Sequence, residues 1–443
     1  QLLSPDGSTL ISLSSTLSLV DLVPSSNESQ IATLTNLPDA AYLLCTSGTT
    51  GEPKIPIVSH DSIEYYTLNV SARLGVSDAD HGHYSFGLLT PLSSDLGYTM
   101  VFPSLYYGHT LRCFSYSQAR DGLLLSNCLH GDPIDFLKVV PSHLRALLDS
   151  GLTYADLPTH SIVFGGDFLS PSLVTDILNH NNSLAIYNHY GPSETTVGVC
   201  CKRVTASDAF LDKPSIPVGK PFPGTSITIV PLPDDYAISD VYSSSYESFG
   251  EVVISGPSLM LGYSKHFFDS VLPEDALTSE YRTGDIGYTD DSGQLVILGR
   301  TSQLIKVKGY RVSIPYLESV IAENPLLSES VVVPFQFQES SDNELVCLTC
   351  STDTDCVAIL RADLSSRLPS YYRPKKYFLV DSIPKLPSGK ADRRACIDIV
   401  HGLVSQRTAN TFKSGVGQSN SSDSNPVFGW SEFQSLLSQL IPL

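Results

Sequence analysis

From Ala41 to about Leu298, short apolar runs alternate with Gly, Pro and Asp punctuation and with amphipathic stretches. AYLLCTSG, SIVFGGD, LAIYNHYG, GEVVISG and QLVILG have the length and flanking residues of buried strands, whereas SHLRALLDSGL spaces its apolar positions as a helix does. Strands interleaved with helices predict an α/β body. After Gly299 the texture changes. LIKVKGYRV, SVVVPFQ, LVCLTC and KYFLV read as four short strands, with helices expected at YLESVIAENP and DCVAILRADLSSRL. Together they make a compact α+β unit of common domain size.

The ends read differently. Residues 1–40 are rich in Ser, Leu and Thr with weak periodicity, and are expected to be the frayed end of a preceding unit. Residues 401–427 are polar and rich in Ser and Asn, the composition of a linker. FGWSEFQSLLSQLIPL is amphipathic and suits the first helix of a following module. The expected layout is a large domain over 1–298, a small one over 299–400, and a linker with the start of a further module over 401–443.

Composition narrows the class. At 443 residues, two or three structural units are the natural expectation, and 42% hydrophobic against 16% charged residues is enough for a sizeable core. A formal net charge of -19 repels nucleic acid backbones and anionic membranes, so a phosphate-bearing partner must meet a local basic site. Nine scattered cysteines lack the density of a disulfide framework, and a reducing cytosol, hence a cytoplasmic location, fits best. Cys347 and Cys350 form a C-x-x-C, but their run ELVCLTCST reads as a core strand, and Cys200 and Cys201 are taken to pack. No run reaches the roughly 20 apolar residues of a membrane helix. No signal peptide is apparent, and a first residue other than Met suggests a segment of something longer.

The candidate chemistry begins after the strand AYLLC. Thr46-Ser-Gly-Thr-Thr-Gly-Glu-Pro-Lys54 offers what a triphosphate requires: Gly48 and Gly51 for close backbone approach, the hydroxyls of Thr46, Ser47, Thr49 and Thr50, and the charge of Lys54. It is not the Walker pattern, so a P-loop NTPase is excluded. The run resembles the signature of the acyl-adenylate-forming superfamily, which includes acyl-CoA synthetases, luciferases and the amino-acid adenylation domains of nonribosomal peptide synthetases. Four further segments follow in that family's order. Asn188-His-Tyr-Gly-Pro-Ser-Glu194 resembles N-x-Y-G-P-T-E, and Tyr281-Arg-Thr-Gly-Asp285 matches Y-R-T-G-D. Gly299-Arg300 through Arg311 is similar to the interdomain hinge, and Pro387-Ser-Gly-Lys-Ala-Asp-Arg393 to the N-G-K-x-D-R element.

The resemblance implies an α/β large N-terminal domain, incomplete at its start, plus a small α+β C-terminal domain joined by a hinge. It implies ATP and Mg²⁺ as cofactors, with Glu194 as the metal ligand, Asp285 accepting from the ribose hydroxyls, Tyr190 beside the adenine and Arg300 on the nucleotide. Lys390 would reach from the small domain to the carboxylate and the α-phosphate, joining Lys54 and Glu194 as the catalytic set. The implied reaction is in-line attack of a carboxylate on the α-phosphorus with pyrophosphate leaving, where positioning and neutralisation of charge supply the acceleration. The small domain would then swing and admit a thiol, the phosphopantetheine of a carrier domain.

Within the peptide-synthetase branch, SSDLGYTMVFPSL aligns with F-D-x-S-x-x-E-x-F and puts Asp95 where a substrate ammonium is bound. A carboxylate in an apolar run needs such a cation. The remaining pocket positions are Leu96, Thr99, Lys138, Val163, Gly165, His189, Val197, Gly198 and Lys390. Read in order with Asp95, these are similar to the family's pattern for aspartate, with Lys138 and His189 gripping the side-chain carboxylate. β-Methylaspartate and asparagine stay open. The competing reading sends Lys138 to solvent and leaves His189 a satisfied core histidine.

Several positions depart from the pattern. Ile55 follows Lys54 where Gly is usual, Ser302 stands where the hinge has Asp, and Leu304 where it has Gln. Only 45 residues precede Thr46, fewer than in family members, and no Gly-Gly-x-Ser carrier signature occurs, so the carrier is expected downstream or on another chain. Amino-acid adenylation therefore stands against two alternatives: an organic-acid CoA ligase, which Asp95 opposes, and an inactive nucleotide-binding scaffold, which retention of Lys54, Glu194, Asp285, Arg300 and Lys390 opposes.

Overall fold

A computed structural model describes residues 2–3, 9–11, 39–45, 54–76, 82–209, 215–232, 249–264, 279–307, 310–324, 326–337, 343–353, 355–385 and 391–414. They fall into two compact units, one running to Leu232 and resuming through Ser302, the other from Gln303 onward.

In the first unit the chain runs β1 (Leu2–Leu3), β2 (Thr9–Ile11), β3 (Ala40–Leu43), β4 (Ile55–Ser59), α1 (His60–Leu74), β5 (Ser85–Leu88), α2 (Tyr98–Tyr106) and β6 (Thr110–Cys113). It continues as α3 (Gly122–Leu129), β7 (Phe136–Val139), α4 (Pro141–Asp149), β8 (Ser161–Gly165), α5 (Pro171–His180), β9 (Ala185–Tyr190), β10 (Cys200–Val204) and α6 (Ala206–Ala209). The eight-stranded main sheet has the order β10-β9-β8-β7-β5-β6-β1-β2. Strands β5 to β9 pair in parallel, and β10 closes one edge antiparallel to β9. Central parallel strands are covered on both faces, and accordingly every residue of β7 and β8 is buried. Two apolar clusters flank the sheet, one around Phe164, Leu144 and Ile177, the other around Tyr66, Phe86 and Phe136.

Two antiparallel sheets complete this unit. β11 (Ser226–Pro231), β12 (Gly250–Ser255), β14 (Tyr281–Thr289) and β15 (Leu295–Arg300) form one, and β13 (Gly262–Ser264) joins β4 and β3 in the other. The α/β body read from the alternating pattern is thus present.

The second unit holds the hairpin β16 (Leu304–Val307) and β17 (Tyr310–Ser313), α7 (Ile314–Ile321), β18 (Glu329–Phe335), β19 (Glu344–Cys350), α8 (Cys356–Arg367), β20 (Lys376–Leu379) and α9 (Arg393–Ser414). LIKVKGYRV, read as one strand, is two strands paired antiparallel from Leu304↔Ser313 to Val307↔Tyr310. Cys347 and Cys350 are buried in β19, where burial pushes both thiols up and keeps them protonated and unreactive.

Two expectations are corrected. The start of the chain is not simply frayed: Leu2–Leu3 pairs in parallel with β6 and Thr9–Ile11 antiparallel with β1, two and three residues being too short to show a period. The linker does not begin at residue 401, because α9 continues to Ser414 through a segment with no proline and several good helix formers. The amphipathic segment near the end lies outside the described residues. Among the described residues no helix is long and apolar enough to cross a membrane.

Candidate active site

Five elements of the first unit build the surroundings of one buried cation. Lys138 lies in FLKV of β7 and is only 2% exposed, so it does not run to solvent. In register beside it stands Val163 of β8, and one step further Gly165 pairs with His189 of β9. The Lys138 Nζ donates to Thr99 Oγ1 of α2 at 2.6 Å and lies 3.1 Å from His189 Nδ1. Tyr66 of α1 closes the ring, its hydroxyl 2.6 Å from Thr99 Oγ1 and 3.0 Å from His189 Nε2. All four side chains are buried.

Two glycines make this crowding possible. A Cβ at Gly165 would stand 3.2 Å from Lys138 Cε, and one at Gly198 would stand 2.1 Å from His189 Cε1. The chain reaches Gly198 through Thr196 and Val197, both at positive φ (56° and 65°), with the Gly198 N–H donating to the Thr196 carbonyl at 2.6 Å. Two β-branched residues in that region store strain of about 1–3 kcal/mol each. The turn is held by the Thr196 hydroxyl on the Ser258 carbonyl at 2.7 Å and the Met260 N–H on the Glu194 carbonyl at 2.9 Å. Val197 packs in the same apolar cluster as Tyr66 and Val163, and Leu96 lies against Gly166.

Asp95 opens the 3₁₀ turn that leads into α2 and is partly exposed. Burial pushes its carboxyl up, while the Ser193 hydroxyl and the Lys138 charge pull it back. Burial brings the Lys138 ammonium down to about 7, against the opposing pull of Asp95. His189 is held well below its ordinary value, first by burial and then by Lys138, and stays a neutral imidazole. A buried lysine thus lies within electrostatic reach of a partly exposed carboxylate, and nine of the ten expected pocket positions fall among the described residues. The tenth, Lys390, lies outside the described residues.

A second cluster forms where β9 ends. β14 and β15 set Asp285 opposite Arg300. Tyr190 donates its hydroxyl to Asp285 Oδ2 at 2.6 Å, and Arg300 Nε donates to Oδ1 at 2.8 Å. The Asp285 backbone N–H donates to Thr283 Oγ1 at 2.9 Å, and that hydroxyl donates to the Val252 carbonyl at 2.7 Å, which fixes the turn in β14. Burial pushes the Asp285 carboxyl up, and Arg300 and Tyr190 oppose that shift. Asp285 is buried, whereas Arg300 reaches the surface. A carboxylate has about four lone-pair sites, so two remain for further donors.

Glu194 sits in the turn after β9 and accepts from the Tyr263 hydroxyl at 2.9 Å and from Tyr281. Burial and the Glu194 charge raise both phenols, so they remain donors. Lys54 Nζ stands 5.4 Å from the centre of the Tyr263 ring, which links the end of the phosphate-loop segment to Glu194. Thr46, Ser47, Gly48, Thr49, Thr50 and Gly51 lie outside the described residues.

Sequence reasoning missed Tyr66, Tyr263 and Ser193. Tyr66 belongs to an i, i+4 series with Ser62, Val70 and Leu74 that reads as ordinary helix core, and its hydroxyl was the available signal. Ser193 was quoted within a motif but given no role.

The model of a family described as AMP-binding enzyme matches residues 8–264. Bacitracin synthase 1 of Bacillus licheniformis is 29% identical over 370 residues, covering 80% of this chain and 7% of that protein. A D-alanine–D-alanyl carrier protein ligase of Bacillus licheniformis is 30% identical over 370 residues, covering 80% of this chain and 70% of the ligase. In fold, the chain is similar to a four-domain nonribosomal peptide synthetase bound to AMP and glycine, with a TM-score of 0.63, 24% identity, and coverage of 88% of this chain and 27% of that one. The family match over more than half of the sequence, on a fold shared with that synthetase, establishes that the chain belongs to the AMP-binding enzyme family.

Proposed function

We propose that this chain activates an acidic amino acid, aspartate foremost, as its aminoacyl-adenylate and passes it to the phosphopantetheine thiol of a carrier domain. One observation carries the substrate assignment: a fully buried lysine, tied by Thr99 and His189, in the same pocket as Asp95. A buried ammonium is destabilised unless an anion meets it. A side-chain carboxylate on Lys138 and an α-ammonium on Asp95 satisfy both groups, and a simple organic acid leaves Asp95 with only the Lys138 charge. Transfer to a carrier is supported by the carrier protein ligase among the relatives.

On the nucleotide side, Asp285 would use its remaining lone pairs for ribose hydroxyls, with Tyr190 and Arg300 fixing the carboxylate. Glu194 offers hard carboxylate oxygens whose hydrogen bonds come from neutral phenols, a donor set that fits Mg²⁺. Among the described residues no group of three His, Cys, Asp or Glu side chains is arranged around a metal, so the remaining ligands would be phosphate and water oxygens. When bound, the ion would neutralise phosphate charge. Lys54 and Lys390 add cationic charge for the attack of carboxylate on the α-phosphorus, a meeting of two anions.

The test is amino-acid-dependent ATP–pyrophosphate exchange across aspartate, asparagine, glutamate and β-alanine, followed by transfer to a phosphopantetheinylated carrier or to free CoA. Exchange that peaks with aspartate and loads the carrier upholds the proposal. Exchange peaking with a neutral amino acid overturns the substrate assignment, and efficient thioester formation with free CoA overturns the carrier.

A further inference from the structure

The ring around Lys138 contains one member that belongs to none of the sequence motifs. The Ser59 hydroxyl caps α1 by accepting from the Ser62 N–H at 3.0 Å, and one turn further along Tyr66 points into the core and is fully buried. With Lys138 charged, the contacts of the ring assign the His189 proton. An ammonium has only donors, so at the 3.1 Å contact between Lys138 and His189 the Nδ1 atom accepts. A neutral imidazole then carries its proton on Nε2, and the atom facing Nε2 is the Tyr66 oxygen. The Tyr66 oxygen also lies 2.6 Å from Thr99 Oγ1, which accepts from Lys138. Two of the three Lys138 N–H groups are thereby engaged, and the third is left for a substrate oxygen.

We infer that Tyr66 is a positioning residue for substrate choice: by accepting from Nε2–H it orients the His189 ring so that the Nδ1 lone pair meets the Lys138 ammonium and holds it toward an acidic side chain. This rests on the reading of the pocket as selective for an acidic amino acid. Without the hydroxyl, Nε2–H is buried with no acceptor and the ring loses the bond that orients it, so the contact between Nδ1 and Lys138 loosens. The ammonium loses its anchor while Asp95 and the nucleotide cluster are untouched.

Two readouts on the full chain test this. Ring ¹⁵N spectra of ¹⁵N-histidine-labelled protein at pH 6, with His189 identified by the signal missing from His189→Gln, are expected to show the proton on Nε2 in the wild type and, in Tyr66→Phe, an Nδ1 resonance shifted toward that of an imidazole nitrogen accepting no hydrogen bond. In pyrophosphate exchange, Tyr66→Phe should raise the KM for aspartate by about tenfold, the effect of one lost hydrogen bond, with kcat and the KM for asparagine within about threefold. A wild-type proton on Nδ1 overturns the inference even if the variant does not fold. An unchanged Nδ1 resonance in Tyr66→Phe, or equal rises in KM for aspartate and asparagine, also overturns it. No exchange with any acidic amino acid, alongside the expected spectra, removes the substrate assignment and upholds the hold of Tyr66 on His189.

Discussion

The lysine pocket and the nucleotide cluster place charge in opposite ways. Asp285 meets Arg300 across a single pair of antiparallel strands, and the arginine extends to solvent. The charges there are partly hydrated and close in sequence. Lys138 instead is buried: its hydrogen-bond partners come from α2 and β9, and burial brings the ammonium down to about 7. In the proposed reading, the nucleotide grip is built from β14, β15 and the end of β9, and the discriminating grip from α2, β7 and β9. Desolvation would then be the source of the discrimination, since it penalises the buried ammonium until an anion meets it.

If the two regions are separable in this way, breaking the nucleotide cluster should have the larger and less selective effect. Asp285→Ala is expected to reduce pyrophosphate exchange at least ~100-fold with every amino acid, because charge-assisted hydrogen bonds contribute about 1.5–3 kcal/mol each. Titrating ATP at saturating amino acid measures this, and a loss confined to one amino acid would contradict the separation. Gly198→Ala pushes a methyl against the His189 ring and should destabilise the pocket by about 1–3 kcal/mol. Thermal melts should report the lower stability and exchange a weaker response to aspartate, whereas an unperturbed variant would show that the close approach at Gly198 is not required.

Protonation sharpens the comparison. Below about pH 7 the empty pocket holds an ammonium, and above it a neutral amine, so binding an acidic side chain must take up a proton as pH rises. The KM for aspartate should therefore rise roughly tenfold between pH 7 and 8.5 while that for asparagine changes little. Exchange kinetics against pH decide it. The same depressed value bears on stability. Between about pH 7 and the ordinary lysine value, the unfolded chain binds more protons at this position than the folded one, so folding becomes more favourable as pH rises. Relative to Lys138→Met, the wild type should gain about 1 kcal/mol per pH unit in that window. A constant difference in denaturant melts would show that the lysine is not desolvated.

Much of this could be read from the sequence, for a physical reason. Motifs such as Asn188–Glu194 and Tyr281–Asp285 keep functional groups within a few residues because backbone turns place them, so their spacing is visible in one dimension. The α/β alternation was visible because buried parallel strands are short apolar runs. Tyr66 was not visible, since an aromatic residue at helical spacing looks the same whether its hydroxyl is idle or bonded to His189. Nor were the strands at the start of the chain, where two or three residues carry no period. Tyr263, held to Glu194 across 69 residues, depends on a sheet pairing that no local pattern encodes.

The most direct measurement is ATP–pyrophosphate exchange by the wild type and Lys138→Met over aspartate, asparagine and glutamate. The expected result is a wild-type maximum with aspartate that falls about 10–100-fold in kcat/KM on substitution, with asparagine changed only slightly, as loss of a charge-assisted contact requires. A wild-type maximum with a neutral amino acid, or an aspartate signal indifferent to Lys138, would contradict the acidic pocket.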